Sequence, residues 1–353
     1  MNSLLSKLGI QHPIIQAPMA GTATPALAAA VSNAGALGSI SIAAVAPEAG
    51  RSMIQQLRGL TANAFNVNVF CHIPSQPNAA VEQAWLAHLA PWFAEFGSQA
   101  PAAINDIYSS FCDGDQQLQV LLDERPAVVS FHLGLPPQGH IDALKAAGIV
   151  LFASATNLAE GLAGQAAGID VIVAQGIEAG GHRGVFDPKA ADEQLPTFEL
   201  LDLLVHELHT PVVAAGGLMS GADIHAALQH GAIAGQLGTA FVLCPESSAN
   251  AAYRQLLASE RSHSTQLTQV ISGRPARGIV NRFMREVGAP GHPPVPGFGI
   301  AYNAGKQLAE AASKAGSAEF SPFWAGQQAA RARALPATEL VALLVQELES
   351  SPA

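Results

Sequence analysis

A glycine-rich segment with a single histidine is the part of this sequence best suited to chemistry. It runs from Gln175 to Gly184, reads QGIEAGGHRG, and follows an apolar stretch at 170–174. Glycines add backbone freedom but no packing, so four of them close together favour a sharp turn or close contact with a flat ligand. A histidine pKa near neutrality suits proton transfer. We therefore take His182 as the catalytic candidate, although a lone GGH is also typical of a solvated histidine in a strand-to-helix loop.

Polar side chains within apolar stretches give a second set of candidates. Asn68 lies in the apolar run 65–70, where a buried amide needs a hydrogen-bond partner. That partner is either a ligand or, because Asn66 and Asn68 alternate, a neighbouring strand. Gln175 allows the same two interpretations at the end of its run. His132 also ends an apolar run, and we interpret it as lining a site rather than as catalytic.

Glycines also lie in the last two apolar runs of the same kind. One run ends with Gly216 and Gly217, and the other carries the segment Gln236, Leu237, Gly238 and Thr239. In barrels of alternating strands and helices, the loops after strands seven and eight commonly hold phosphate through backbone N–H groups and helix N-termini. The sequence therefore predicts a phosphate site here. The alternative is that these glycines only let helices pack closely on the sheet.

The elements that must position these residues predict a (β/α)8 TIM barrel. Eight short apolar runs alternate with helix-compatible stretches, which fits a barrel better than a doubly wound sheet. Two stretches are too long for a barrel repeat. We expect the barrel at 1–72 and 114–245 and a second, mostly helical domain at 73–113 and 246–353; a return of the last helix to the barrel is the alternative. The predicted strands are 14–19, 36–41, 65–70, 128–133, 149–154, 171–175, 212–217 and 234–241.

Composition excludes several classes of function. The chain has 353 residues, is 49% hydrophobic and carries a formal charge of -10, which argues against nucleic-acid binding. Its apolar runs are far shorter than the roughly 18 residues of a membrane span. The N-terminus leaves no room for a signal peptide, so we expect a cytoplasmic protein. The three cysteines suit reduced thiols, and neither cysteines nor histidines show metal-ligand spacing.

These features together resemble the nitronate monooxygenase family, formerly called 2-nitropropane dioxygenases, over nearly the whole chain. The GIEAGGHRG form is typical of its class I branch. The segments fall in family order: the early segment from Gln16 through Pro18 to Gly21, the Asn68 strand, the His182 loop, the Gly216–Gly217 turn and the 236–239 strand.

The resemblance implies an FMN-dependent oxidation of an alkyl nitronate by dioxygen, with propionate 3-nitronate as the favoured substrate. It places His182 beside the reactive centre, either donating to the nitronate oxygens or deprotonating a neutral nitroalkane. It also implies a lysine and aromatic residues from the helical domain at the substrate. One departure is Phe298, where the family pattern has tyrosine, which puts one substrate hydrogen bond in doubt. The implied flavin contacts are Pro18, Met19, Ala20, Gly21, Asn68, Gln175, Gly180, Gly181, Gly216, Gly217, Gln236, Leu237, Gly238 and Thr239; the implied substrate contacts are Tyr108, His132, Tyr253, Phe298, Tyr302 and Lys306.

The spacing of Tyr302 and Lys306 independently supports their implied roles as substrate contacts, because residues at i and i+4 share a helix face. A solvated surface turn is the alternative. Two other functions remain: an NAD(P)H-dependent reductase of the enoyl-acyl-carrier-protein reductase II or NADH:quinone reductase type, and a non-catalytic flavin-binding protein. The first needs an open nicotinamide site, which a tyrosine-rich lid would obstruct.

Overall fold

A closed barrel of eight parallel strands forms the centre of the molecule, as seen in a computed structural model that describes residues 2–352. Strands β7, β10 and β11 lie outside this barrel. In chain order the strands are β1 (Ile14–Gln16), β2 (Gly38–Ser41), β3 (Phe65–Phe70), β4 (Val128–His132), β5 (Val150–Ala155), β6 (Val171–Gln175), β7 (Gly181–His182), β8 (Val212–Ala215), β9 (Ala234–Leu237), β10 (Thr265–Thr268) and β11 (Ala276–Ile279).

The barrel strands follow the order β1-β9-β8-β6-β5-β4-β3-β2, and all adjacent pairs are parallel. The ring closes between β1 and β2. There the Gln16 amide donates to the Leu37 carbonyl at 2.9 Å, and the Leu37 amide donates to the Ile14 carbonyl at 3.0 Å. The strands are buried on both faces, as expected for a parallel sheet covered by helices. The prediction of a (β/α)8 barrel is confirmed.

Within residues 2–352, twelve α-helices accompany the strands. The first barrel helix shows why the sequence starts them where it does: the Thr24 hydroxyl accepts the Leu27 amide at 3.0 Å, and Pro25 occupies the first turn, where its missing N–H costs nothing. The helices are α1 (Ser3–Lys7), α2 (Pro25–Asn33), α3 (Pro47–Leu60), α4 (Ala79–Glu95), α5 (Gln116–Glu124), α6 (Gln138–Ala146), α7 (Leu158–Ala167), α8 (Thr197–Glu207), α9 (Gly221–Gln229), α10 (Ala251–Leu257), α11 (Ile300–Lys314) and α12 (Ala337–Ser350).

A second apolar core lies beside the barrel mouth. Helices α4 and α11 pack against each other and share this core with aromatic residues of the intervening loops. Its buried members include Trp85, Leu89, Phe283, Leu308 and Phe320. Two stretches distant in sequence therefore share one core, which supports the predicted helical domain. Its boundaries remain a prediction.

The second core is not only helical. Strands β10 and β11 form an antiparallel hairpin, and β11 also pairs with β7, so that Ala276 lies opposite His182. The last helix, α12, packs on α2 and α9, and its Leu340 and Leu344 join the barrel core. Within residues 2–352, no helix combines the length and apolar character that crossing a membrane requires.

Candidate functional site

A cleft opens at the carboxyl ends of the barrel strands, where the catalytic groups of such barrels lie. Residues from β3, β4, β6, β8 and β9 form its floor, and α11 and the segment around Trp324 contribute its outer wall. Of the predicted site residues, those that line this cleft are Pro18, Met19, Ala20, Asn68, Tyr108, His132, Gln175, Gly180, Gly181, His182, Gly216, Gly217, Gln236, Gly238, Thr239, Tyr253 and Tyr302.

Four predicted site residues lie outside the lining. Gly21 is exposed beside it, with φ of 74°, and its carbonyl accepts the Ser248 hydroxyl at 2.7 Å. Leu237 packs into the barrel core, because successive residues of a strand face opposite sides and its neighbour Gln236 faces the cleft. Phe298 is buried behind the lining, and Lys306 is exposed.

The loop that carries His182 is held by the C-terminal segment on two sides. The Arg277 Nε donates to the Ile177 carbonyl at 3.0 Å, and the Gln327 amide donates to the Glu178 carbonyl at 2.9 Å. Gly181 and His182 pair with β11 as strand β7. The loop predicted to be irregular is therefore fixed at its histidine by an antiparallel strand pair.

Gln175 and His132 orient the same loop from inside the barrel. The Gln175 side chain donates to the His182 carbonyl at 3.1 Å and accepts the Gly184 amide at 2.7 Å. His132 Nε2 also lies 3.1 Å from the His182 carbonyl oxygen, and its Nδ1 lies 2.5 Å from Ser154 Oγ. Gln175 and His132, each at the end of a barrel strand, thus hold the backbone of His182.

Asn68 has hydrogen-bond partners on both neighbouring strands. Its Oδ1 accepts the Ser41 hydroxyl at 3.1 Å, and its Nδ2 donates to the Ser130 carbonyl at 3.1 Å. It still lines the cleft. The neighbouring-strand alternative therefore accounts for its bonds within the chain, and a ligand contact at Asn68 stays a prediction.

The imidazole of His182 lies among three aromatic rings. Its ring centroid is 5.1 Å from that of Phe298, 5.4 Å from that of Trp324 and 6.0 Å from that of Tyr302. Burial lowers the pKa of His182 to about 3, with further lowering by the neighbouring His132 and Arg274. Burial likewise lowers the pKa of both His72 and His132 to about 4. The three imidazoles are therefore neutral near pH 7, and for His182 burial overturns the sequence-based expectation of a pKa near neutrality.

The stability of the folded protein at acidic pH tests whether these three histidines are buried and neutral. A histidine whose folded pKa lies below its unfolded value of about 6.5 binds its proton in the unfolded chain first, so stability falls as pH drops below that value. Between pH 6 and 5, His72, His132 and His182 together lower the free energy of unfolding by up to about 4 kcal/mol per pH unit, about 1.4 for each. Urea unfolding at several pH values measures this slope. In His182→Asn it should fall by about a third, and an unchanged slope would contradict a neutral, enclosed His182.

Glycines frame the part of the cleft expected to hold a phosphate-bearing cofactor. Gly216 and Gly217 have φ values of 128° and 70°, a region that favours glycine. The amides of Gly217 and Gly238 donate to no other residue within 2–352. Free N–H groups at the two turns after β8 and β9 are what an anionic phosphate requires. The residues present therefore fit a phosphate group, such as a flavin nucleotide carries.

Gly180 makes a further close backbone contact, with Ala325 and Gly326 of the C-terminal segment. A Cβ at Gly180 would lie 2.5 Å from the Gly326 amide nitrogen and 2.6 Å from the Ala325 carbonyl carbon, both backbone atoms. Gly326 itself donates to Thr239 Oγ1 at 3.0 Å, on the phosphate side. Gly180 is thus required for the loop to approach the segment that completes the cleft.

Gly180→Ala should therefore weaken flavin binding. Overpacking typically costs about 1–3 kcal/mol, which corresponds to a rise of about fivefold to a hundredfold in the flavin dissociation constant when the distortion reaches the cleft. Titration of the flavin-free protein by flavin fluorescence measures it. Gly59→Ala is the matched control, because a Cβ there has no atom within 4 Å in helix α3. Equal affinity for the two variants would show that the Gly180 contact does not shape the cofactor site.

One side of the cleft is an aromatic wall made of Tyr108, Tyr253, Tyr302 and Trp324. Two of its hydroxyl groups have a hydrogen with no acceptor among the described residues. The Tyr302 hydroxyl accepts from Trp324 Nε1 at 3.1 Å, and neither its hydrogen nor the Tyr108 hydroxyl has a partner within 2–352. Burial raises the pKa of Tyr302 to about 12, so the proton stays in place near neutral pH. The Tyr253 hydroxyl instead donates to the Trp324 carbonyl, which anchors the wall.

Lys306 lies at the edge of this wall. Its Nζ is 4.9 Å from the Tyr108 ring centroid and 4.8 Å from that of Tyr302, a cation–π arrangement. It has no hydrogen bond or ion pair with a residue within 2–352. The sequence-based expectation that Tyr302 and Lys306 share a helix face agrees with this placement.

Several residues of the site were not predicted from the sequence. Trp324 and Gly326 line the cleft, Ser272 contacts His182, and Arg274 lies buried nearby. The segment 272–278, SGRPARG, carried a usable signal, since two arginines between glycines in an apolar stretch are unusual. Trp324 carried little signal, because a single tryptophan is commonly a core residue.

Charge in the cleft contrasts with that of the whole chain. Among the described residues, no aspartate or glutamate lines it, although the chain is acidic overall. Nor does any cluster of three potential ligand side chains within 2–352 form a metal site. The cleft is thus rich in donors and free of carboxylates, which suits a small anion.

The family model and the curated relatives identify the same family. The family model described as nitronate monooxygenase matches residues 2–347. A nitronate monooxygenase of Pseudomonas aeruginosa is 55% identical over 97% of each chain, and one of Paraburkholderia phytofirmans is 54% identical over 99% of this chain and 95% of its own. The crystal structure of a nitroalkane oxidase from Streptomyces ansochromogenes superposes with a TM-score of 0.90 at 40% identity, covering 98% of both chains.

Proposed function

Because this chain belongs to the nitronate monooxygenase family of flavin-dependent oxidoreductases, we propose that it uses FMN and dioxygen to oxidise alkyl nitronates, with propionate 3-nitronate as the favoured substrate. The observation that carries this proposal is the lining of the cleft. Unused donors face a space without a single carboxylate among the described residues, inside a chain of net charge -10. The attraction for an anionic substrate is therefore local.

The glycine turns after β8 and β9 would hold the FMN phosphate through the free amides of Gly217 and Gly238. No dinucleotide-binding fingerprint is evident in the sequence, which favours FMN over FAD. Asn68, Gln175 and Gly180 lie along the same wall as candidate contacts for the rest of the cofactor. The bound flavin supplies the electron transfer from substrate to dioxygen.

The protein's own part is binding, orientation and exclusion of water. The Tyr302 and Tyr108 hydroxyls are free to donate to the oxygens of a nitronate or to its carboxylate, and the Lys306 ammonium adds a positive charge at the edge of the same wall. Trp324 and Phe298 close the apolar side around His182. The enclosed site strengthens these interactions and fixes the substrate carbon in one position.

The purified protein should release FMN on heating, as identified by chromatography. Anaerobic mixing then separates the candidate reactions: a nitronate should bleach the flavin rapidly, and NADH only slowly. Recovery of FAD, or no flavin after reconstitution with FMN, would defeat the cofactor assignment. Efficient NADH oxidation with quinones or enoyl thioesters, without nitronate oxidation, would move the protein to the reductases.

A further inference from the structure

Ser272 is the hydrogen-bond partner of the His182 ring. His182 Nε2 lies 2.9 Å from Ser272 Oγ, and the Ser272 side chain is fully buried. The same hydroxyl lies 3.1 Å from the carbonyl oxygen of Arg274. Ser272 lies on the segment that leads to β11, and β11 pairs with the backbone of His182. The same part of the chain therefore contacts both the ring and the backbone of His182.

Counting protons decides the direction of these bonds. A serine hydroxyl has one hydrogen and two acceptor positions. The Arg274 carbonyl, in a residue only 2% exposed, receives no other hydrogen bond within 2–352. If Ser272 donated to His182 instead, that buried carbonyl would be left without a donor, which is unfavourable for a polar group removed from water. Ser272 therefore donates to Arg274 and accepts from His182 Nε2–H.

This assignment leaves the other ring nitrogen free. A neutral imidazole carries one proton, so a protonated Nε2 means an unprotonated Nδ1. Nδ1 has no hydrogen-bond partner within 2–352, is not among the fully buried unpaired atoms, and belongs to a side chain that lines the cleft. Its lone pair is thus available to a ligand.

We propose that Ser272 is a positioning residue that holds His182 as the Nε2–H tautomer, so that Nδ1 serves as a proton acceptor for neutral nitroalkanes and not as a donor to nitronates. This inference rests on the proposed function and chooses between two roles for His182. In the step, the C–H bond next to the nitro group breaks and its proton moves to Nδ1. The electron pair of that bond delocalises onto the nitro oxygens, which gives the nitronate.

The first test observes the tautomer directly and needs no turnover. Nitrogen-15 NMR of the holoprotein with labelled histidine distinguishes a protonated from an unprotonated ring nitrogen, and the His182 signals are those missing in His182→Asn. We expect a protonated Nε2 and a lone-pair Nδ1 near pH 7. A protonated Nδ1 would overturn the proposal, whether or not the protein oxidises nitronates. Conversely, an inactive protein with the expected tautomer would defeat only the proposed function.

The second test is kinetic and uses Ser272→Ala. One hydrogen bond is worth about 0.5–1.5 kcal/mol, so kcat for a neutral nitroalkane should fall by about two- to tenfold, with its KM and the turnover of a pre-ionised nitronate little changed. Ser272→Thr keeps the hydroxyl and should recover part of the loss. Ser262→Ala is the control, because Ser262 is equally buried but donates to the Ser259 carbonyl at 2.7 Å, away from the cleft. Equal losses on both substrates would mean that Ser272 supports the fold and not the tautomer.

Discussion

His182→Asn is expected to keep its flavin but to lose turnover of neutral nitroalkanes by roughly 10²–10⁴-fold, the usual worth of a general base. The reason lies in the placement of the ring. Gln175 and His132 hold the His182 backbone, so the substitution leaves the loop in place, while the imidazole itself faces the cleft. A pre-ionised nitronate has already lost its proton, and much of the activity on it should remain.

Steady-state kinetics with a nitroalkane and its own nitronate measure this difference. His206→Asn is a suitable control, because the same change is made on the exposed surface of α8. Comparable losses on both substrates would point to stabilisation of the anion. Undiminished turnover of both would remove His182 from the mechanism. The folded-state pKa of about 3 adds a check: nitroalkane turnover by the native protein should show no loss attributable to His182 between pH 8 and 5.

The barrel could be predicted from the sequence because the pattern that marks each of its strands lies within a few consecutive residues. Strands buried on both faces are continuous apolar runs, and eight of them separated by helical stretches leave few alternatives. The predicted ends were long at 14–19 and 234–241, since the chain leaves the sheet at β1 Gln16 and β9 Leu237 to form the cleft. Apolar character continues there for packing, without strand pairing.

Contacts between distant segments could not be predicted in the same way. The pairing of Gly181–His182 with β11 joins residues about 95 positions apart, and nothing in the two-residue sequence marks a strand. For the same reason Ser272 and Trp324 were missed: serine and tryptophan are common in ordinary cores and turns, and their role depends on which ring they meet. Successive residues of β9 face opposite sides, so Gln236 lines the cleft and Leu237 packs in the core. A resemblance that covers the whole segment does not distinguish the two residues.

Lys306→Met should weaken a carboxylated nitronate far more than an uncharged nitroalkane. The ammonium has no anionic partner within residues 2–352 and lies within 5 Å of the Tyr108 and Tyr302 ring centroids, whose hydroxyl groups also lack acceptors. A carboxylate bound between them would pair with the ammonium and accept a hydrogen bond from each of the two hydroxyl groups. A charge-assisted hydrogen bond is worth about 1.5–3 kcal/mol, which corresponds to a tenfold to hundredfold rise in KM. Because Lys306 is exposed, we expect the lower end, about tenfold.

The comparison that decides this is the ratio of KM values for the two substrates in each variant. Lys314→Met, two turns further along α11, removes an equally long exposed lysine that pairs with Glu310 and is distant from the tyrosines. It should leave the ratio unchanged. Equal losses for the carboxylated and uncharged substrates in Lys306→Met would instead assign the lysine a structural role, in which its charge fixes the two tyrosine rings. Selective loss of the carboxylated substrate would place the anion site at the edge of the aromatic wall, where α11 brings charge to an otherwise acidic protein.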